Sequence, residues 1–290
     1  MSQDEPSVNV IDVDVSNLKP VYRKRNLAHY FNELWAARYF IWAQARSHSF
    51  STGRGSFLGK AWIILDPLLQ SATYVIIFGL ILKTTNGIDN FIGFLVIGVT
   101  FFGFISQGLA GGVGLIQKYR SLITGFNFPR AAAPIANVLQ NFLDSIAPAL
   151  VGIGLALVLQ IGEPISWRLL LVIPYFVLIH LFALGMQFII APLTFKIPDL
   201  RAVINLIVRA LFFLSGVFFS MDRFTGNPAL AKLVELNPAY QFLMTIRHIV
   251  LDNGIPDAKT TLYLCAWTLI LLIVGFFYYR HGEAQYAYTK

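Results

Sequence analysis

The sequence holds one cysteine, Cys265, so neither a disulfide framework nor a cysteine-ligated metal site can form within the chain. Charge is also sparse: Asp, Glu, Lys and Arg make up 13% of the 290 residues, against about 25% in a soluble domain. The five histidines, His29, His48, His180, His248 and His281, form no His-Glu-x-x-His pair or other ligand spacing, which removes a zinc site. There is no Gly-x-Ser-x-Gly elbow, and no acidic cluster beside an apolar run of the kind that holds magnesium against a diphosphate. Arg54 to Ala61 approaches a phosphate-cradling loop, but Arg54 stands where the first glycine belongs and Ala61 where the magnesium-binding hydroxyl belongs. Catalysis by this chain alone is therefore not expected, and the chain itself calls for no cofactor and no metal.

What fills the sequence is apolar surface. Apolar residues make up 56% of the chain and the mean hydropathy is +0.64, a balance that requires a non-aqueous solvent. A bilayer-spanning helix needs about 20 apolar residues, and six runs read as such helices: 61–82, 91–116, 131–161, 169–195, 202–220 and 261–279. The expected fold is an all-α integral membrane protein with six transmembrane helices occupying residues 61–280. Residues 1–26 read as a partly disordered cytoplasmic tail lacking the features of a signal peptide, and residues 281–290 as a second cytoplasmic tail.

The segments between the runs carry their own patterns. From Leu27 to Ala45, Leu27, Phe31, Leu34, Trp35, Ile41 and Trp42 recur at helical spacing with Arg38 and Arg46 among them. This is the pattern of an amphipathic helix in the headgroup layer, or of a helix packed on a soluble partner; with its linker it occupies residues 27–60. Residues 117–130 form a charged loop with apolar positions Tyr119, Leu122 and Ile123, which reads as a short amphipathic helix. The gap 221–260 contains two stretches, 230–236 and 240–251, too short to cross and readable as re-entrant helices in the outer leaflet. Lysine and arginine fix an orientation: fifteen of 22 fall on the side holding both termini, six on the other, and Arg209 lies within a run. Because cytoplasmic loops carry that excess, both termini are expected inside. The net charge of +7 thus serves topology, and nucleic-acid binding is not expected.

Polar residues inside the runs are few: Asp66, Gln107, Gln140, Asp144, His180, Gln187 and Arg209. Such groups face other helices or a wet pathway. Asp66, near the inner interface, reads foremost as packing or snorkelling, whereas Asp144 and Arg209 suit packing and a substrate path equally. No series of buried acids and no pair of matching broken helices marks a self-powered secondary transporter, so energy is expected from a separate subunit.

Ser56-Phe57-Leu58-Gly59-Lys60-Ala61-Trp62-Ile63-Ile64-Leu65-Asp66-Pro67-Leu68 resembles the opening of the first span in ABC-2 type polysaccharide export permeases. Leu122-Ile123, Phe128-Pro129-Arg130 and Pro134 resemble that family's cytoplasmic coupling region, Phe195 to Leu200 its second inner turn, and Asn237-Pro238 with Arg247 the segment before its last span. The sequence departs from the family pattern at Thr124-Gly125, where a basic residue is frequent, and at Phe102, where a tryptophan is frequent. The resemblance implies a homodimer in the bacterial cytoplasmic membrane with two cytoplasmic ABC ATPase subunits, which supply the ATP and magnesium chemistry. The cargo it implies is a lipid-linked polysaccharide such as O-antigen, capsule, teichoic acid or actinobacterial galactan on a polyprenyl diphosphate. It assigns the coupling helix to 118–127, with Lys118, Tyr119, Arg120, Leu122, Ile123, Phe126, Phe128, Pro129 and Arg130 facing the ATPase, and the gate helix to Phe31, Trp35, Arg38 and Trp42 at the lipid surface.

A polysaccharide path needs apolar faces on which sugars slide, and Phe101, Phe102, Phe104, Phe212, Phe213, Phe218 and Phe219, with Asp144 and Arg209, are the candidates for its wall. Bulk facing lipid is the competing reading of each ring. A drug or lipid exporter of the same superfamily is the nearest alternative function, followed by a transporter acting alone and a membrane polyprenyl-lipid transferase.

Overall fold

The computed structural model describes residues 26–51, 59–81, 88, 90–125, 129–160, 165–219 and 228–287, all helical or irregular with no strand among them. The chain opens with α1 (Leu27–Ala36) and α2 (Arg38–Ser51), joined by a one-residue turn at Ala37. Helix α3 (Trp62–Tyr74) contains Pro67 and continues as a π-helical stretch, Val75–Ile81. Then come α4 (Phe91–Ala110), the short α5 (Leu115–Lys118) and α6 (Arg120–Gly125), α7 (Ala132–Val158), α8 (Val172–Lys196) and α9 (Leu200–Leu214). The chain ends with α10 (Pro228–Glu235), α11 (Pro238–Val250) and α12 (Ala258–Gly282), which runs on into a 3₁₀ turn, Glu283–Ala287.

Five helical stretches are long and apolar enough to cross a membrane: Trp62–Ile81, Phe91–Ala110, Ala132–Val158, Trp167–Lys196 and Ala258–Tyr286. They answer five of the six expected spans. The remaining one, expected over 202–220, is α9 with 15 residues. Ser215 caps it and Gly216 at φ +70° turns the chain left-handed, an arrangement that ends helices because glycine has no Cβ to clash there. The second span likewise stops at Ala110 instead of Ile116, where Gly111, Gly112 and the left-handed Gly114 interrupt it. The stretches 230–236 and 240–251 appear as α10 and α11. Of the expected tail, residues 281–287 complete α12 and its 3₁₀ turn, with Tyr286 buried against Phe195 and Tyr279.

Helix α4 is the centre of the bundle, packed by α3, α7, α8, α9 and α11. Asn90 caps it, accepting from the Gly93 amide at 2.9 Å while its own amide donates to the Ala156 carbonyl of α7, also at 2.9 Å. Helices α8 and α12 approach at backbone distance. A Cβ on Gly275 would lie 2.5 Å from the Gly185 carbonyl oxygen, and one on Gly185 would lie 2.7 Å from the Leu271 carbonyl carbon. In lipid, where apolar area gains little by leaving one apolar neighbour for another, such close small-residue contacts hold helices together.

Helix α11 is secured differently. Asn237 caps it by accepting from Ala239 at 3.0 Å, Pro238 occupies its first turn, and the Asn237 amide reaches Ser215 at 2.9 Å. Arg247, only 2% exposed, donates to the carbonyls of Phe94 (3.1 Å), Gly216 (2.6 Å) and Val217 (2.9 Å). Its guanidinium also lies 3.4 Å from the centre of the Phe94 ring. One side chain thus ties α11 to α4 and to the turn that ends α9.

Candidate functional site

The segment expected to couple, residues 115–125, sits at the end of the bundle where α4, α7, α8 and α12 meet. Gly112 and Gly114 bring the chain out of α4 so closely past α8 that a Cβ on Gly112 would lie 2.8 Å from Ile190. Two short helices follow where one was expected, and they divide the predicted docking residues. Tyr119 and Ile123 are buried in a cluster with Leu115, Ile116, Ala131 and Phe188, together with Pro129 and Arg130 nearby. Lys118, Arg120 and Ser121 are exposed and Leu122 is half-buried. Phe126 and Phe128 lie outside the described residues. Burial pushes the Tyr119 hydroxyl up to about 12, so it stays protonated at physiological pH. Although Lys118 as a whole is exposed, partial burial of its ammonium, which stands 5.4 Å from the Tyr119 ring centre, lowers its pKa.

Lys118 begins a polar chain that runs into the bundle. Its ammonium donates to Asn137 Oδ1 of α7 at 3.0 Å, Asn137 Nδ2 donates to Gln187 Oε1 of α8 at 3.2 Å, and Gln187 Nε2 donates to the Gln107 carbonyl of α4 at 3.1 Å. Gly111 leaves room for it: a Cβ there would meet the Gln107 carbonyl at 2.5 Å and Gln187 Nε2 at 2.6 Å. In a dry interior each member must be satisfied, so the three helices are held in one register relative to Lys118. Gln187 was a visible polar residue in an apolar run. Asn137 was the missed one, signalled only by an amide in the first turns of a long span.

A second cluster joins the N-terminal helices to the other end of the chain. The Tyr30 hydroxyl donates to the Glu283 carboxylate and accepts from the Ala131 amide at 3.3 Å. Tyr279 donates to the Arg130 carbonyl at 3.2 Å, Tyr286 donates to the Tyr279 carbonyl at 2.8 Å, and the Arg280 guanidinium lies 5.1 Å from the Tyr30 ring centre. Burial, and then the neighbouring Glu283, raise the Tyr30 hydroxyl well above its ordinary range. On the other face of these helices, Trp35 (71% exposed), Arg38 and Trp42 project outward, whereas half-exposed Phe31 stacks on Phe276 of α12 with ring centres 5.4 Å apart. Arg38 lies 5.2 Å from the Trp35 ring centre and 4.3 Å from that of Tyr39. Meanwhile Ile41 packs on Ala132 and Ala136 of α7.

Most of the aromatic path candidates belong to one connected core, with Phe102 and Phe212 ring centres 5.2 Å apart, while Arg209 and Asp144 lie away from it. Phe101, Phe102 and Phe104 are buried in the main core. Phe212 and Phe218 join Tyr74 of α3 in an aromatic cluster with centroid separations of 4.8 to 5.4 Å. Phe213, 55% exposed, extends that cluster to the surface, and Phe219 is half-buried beside it in sequence. Arg209 is on the exposed face of α9. Asp144 lies elsewhere, lining a cavity of about 210 Å³ between α3, α4 and α7 that also includes Asp66 and Gln107. A second cavity, of about 230 Å³, lies between α4, α8, α9 and the start of α11, and its walls are mostly apolar. No group of three or more potential metal ligands occurs among the described residues.

The arrangement is that of a helical membrane domain with a short two-helix projection wired into its centre. A family model described as ABC-2 type transporter matches residues 39–251, from the start of α2 through α11. The chain belongs to this family. The O-antigen export system permease protein RfbA of Myxococcus xanthus is 28% identical over 222 residues, covering 76% of this chain and 83% of that protein. The polysialic acid transport protein KpsM of Escherichia coli is 28% identical over 231 residues, covering 78% and 86% respectively. A Klebsiella pneumoniae RfbA is 23% identical over 235 residues, covering 81% and 88%. The projection α5–α6 lies in the first half of the matched region.

Proposed function

We propose that this chain is the permease subunit of an ATP-driven exporter that carries lipid-linked polysaccharide across the bacterial cytoplasmic membrane. The observation that carries the reading is its likeness, over most of both lengths, to an O-antigen export system permease protein and to a polysialic acid transport protein. In this reading two copies of the chain form the channel and two ABC ATPase subunits bind beneath it, each meeting one α5–α6 projection. ATP and magnesium belong to those partners.

The geometry supports the parts of this assignment. Exposed Arg120 and Ser121 offer a docking surface whose far side, Tyr119 and Ile123, is anchored in the bundle. Helices α1 and α2 lie in the inner headgroup layer with Trp35 and Trp42 towards lipid, where aromatic and arginine side chains are favoured. Helix α9 with the turn to Phe219 serves as the sixth span, short because Gly216 ends it, and α10–α11 dip into the outer leaflet. Both termini are cytoplasmic. Leu69, Ile76, Ile77, Leu80 and Ile81 of the first span are exposed in the single chain, a surface suited to the second copy or to lipid.

The test is purification with the ATPase encoded beside the gene, followed by ATP hydrolysis in nanodiscs. Arg120→Glu with Ser121→Glu changes only exposed positions and is expected to remove the ATPase from the complex while leaving the melting temperature of the permease within about 2 °C. Retention of the ATPase by this variant would place docking elsewhere. Accumulation of lipid-linked glycan inside cells lacking the chain completes the assignment.

A further inference from the structure

Building on that function, we infer that Thr194 and Arg201 are positioning residues for ATP-driven export: they fasten the glycine joint at the root of α5–α6 to α8 and α9, so that a push on the docking helices moves the α8–α9 turn with them. The joint, residues 111–114, has little stiffness of its own. The Gly111 amide still bonds four residues back, to the Gln107 carbonyl at 2.9 Å, but those of Gly112, Val113 and Leu115 reach only three residues back, to Leu109, Ala110 and Gly112, at 3.2 to 3.3 Å. Gly111, Gly112 and Gly114 carry no side chain, and Gly114 is left-handed at φ +69°. Tight turns built on glycine between two helices bend readily, because both backbone dihedrals are free.

The angle of the joint is set from outside, by successive turns of α8. A Cβ on Gly111 would meet Gln187 Nε2 at 2.6 Å, one on Gly112 would meet Ile190 at 2.8 Å, and the Gly114 amide donates to Thr194 Oγ1 at 3.3 Å. Gln187, Ile190 and Thr194 are three and four residues apart and so share one face of α8. Thr194 is fully buried, and its hydroxyl proton is directed to the Ile190 carbonyl at 2.9 Å, which leaves its lone pairs for the amide. Gln187 holds the Gln107 carbonyl on the α4 side of the joint, and Thr194 holds Gly114 on the α5 side. The pliable stretch is thus pinned to one rigid helix before and after it, and a displacement of α5 draws α8 along. Helix α9 adds a further hold. With the Gln117 amide oriented to satisfy both neighbours, Arg201, in the first turn of α9, donates to Gln117 Oε1 at 3.2 Å and Gln117 Nε2 donates to the Gly114 carbonyl at 3.2 Å. Both polar groups of Gly114 are therefore tied, one to α8 and one, through Gln117, to α9. Gln117 and Arg201 are exposed, so their bond matters more to position than to stability.

The experiment uses the permease–ATPase complex in nanodiscs, free or trapped with ATP and orthovanadate, and reads amide hydrogen exchange by mass spectrometry together with glycan exported per ATP hydrolysed. In wild type, trapping is expected to change exchange over 111–118 and over 196–202 together. Thr194→Val with Arg201→Leu is expected to keep the ATPase bound and the response at 111–118, to lose the response at 196–202, and to lower glycan exported per ATP by about fivefold or more. Arg201→Leu alone alters an exposed residue and is expected to lose part of the 196–202 response, a reading that stands even where the valine variant does not fold. Thr194→Ser keeps the hydroxyl and is expected to match wild type. A wild-type response at 196–202 with wild-type stoichiometry in the double variant overturns the inference and leaves the exporter reading intact. So does a wild-type complex whose 196–202 exchange ignores the nucleotide, or a Thr194→Ser variant as impaired as the double variant. Absence of ATP-dependent glycan export by the wild-type complex would defeat the function reading and the inference with it.

Discussion

Replacing Arg247 with methionine is the most direct test of how the outer helices are held. The side chain is buried and its three donors end on the carbonyls of Phe94, Gly216 and Val217 at 2.6 to 3.1 Å. Methionine fills much of the volume but takes the donors from the Gly216 and Val217 carbonyls and leaves the Phe94 carbonyl only its α4 bond, each unsatisfied group costing about 1–3 kcal/mol. Relief from burying a charge offsets several kcal/mol of this, leaving a net loss of about 3 kcal/mol. At about 2–4 °C per kcal/mol for a chain of this size, the melting temperature should fall by about 6–12 °C. The assay is thermal unfolding in detergent followed by tryptophan fluorescence. Arg247→Lys keeps the charge without the planar fork and should fall in between. Gly98 provides an internal control, because a Cβ there would run into the Arg247 guanidinium. Gly98→Ala should destabilise the wild type but cost at least about 1 kcal/mol less in the methionine background, a coupling expected only for touching residues. A methionine variant melting within about 2 °C of wild type, or strict additivity with Gly98→Ala, would refute the clamp.

Other consequences follow from the two polar clusters. Asn137→Leu cuts the chain from Lys118 to Gln187 and should reduce glycan exported per ATP hydrolysed at least fivefold with the ATPase still bound; unchanged stoichiometry would reduce the chain to packing. Tyr30→Phe takes the hydroxyl from buried Glu283 and from the Ala131 amide, and should destabilise the protein by about 1–3 kcal/mol. Glu283→Gln, which still accepts a hydrogen bond, should be milder, and equal melting temperatures for Tyr30→Phe and wild type would dismiss the contact.

Apolar run length alone located the helices that fill the membrane, because 20 apolar residues have no other stable solvent and every backbone group must bond within its own helix. Short apolar stretches and isolated turn residues likewise located α5–α6 and α10–α11, and Trp35, Arg38 and Trp42 are exposed while Phe31 stacks on Phe276. Helix ends were less legible. Gly111, Gly114 and Gly216 each stop a helix within an apolar run that hydropathy alone carries further.

Partnership between distant residues was decided only in three dimensions. Tyr119 and Ile123 share a short helix pair with Arg120, yet only the packing of α8 and α12 against it separates the buried positions from the exposed ones. Arg247 looked like a loop charge of the outer side and is a buried clamp, because the carbonyls it binds come from residues far earlier in the chain. Asp66 and Asp144 stood in separate runs, and the crossing of α3 and α7 over α4 places both in one cavity. Apolar length is a local property of the chain and can be read from it, whereas hydrogen-bond partners and cavities depend on which helices touch, and that is set by close glycine contacts and capped ends spread along the whole sequence.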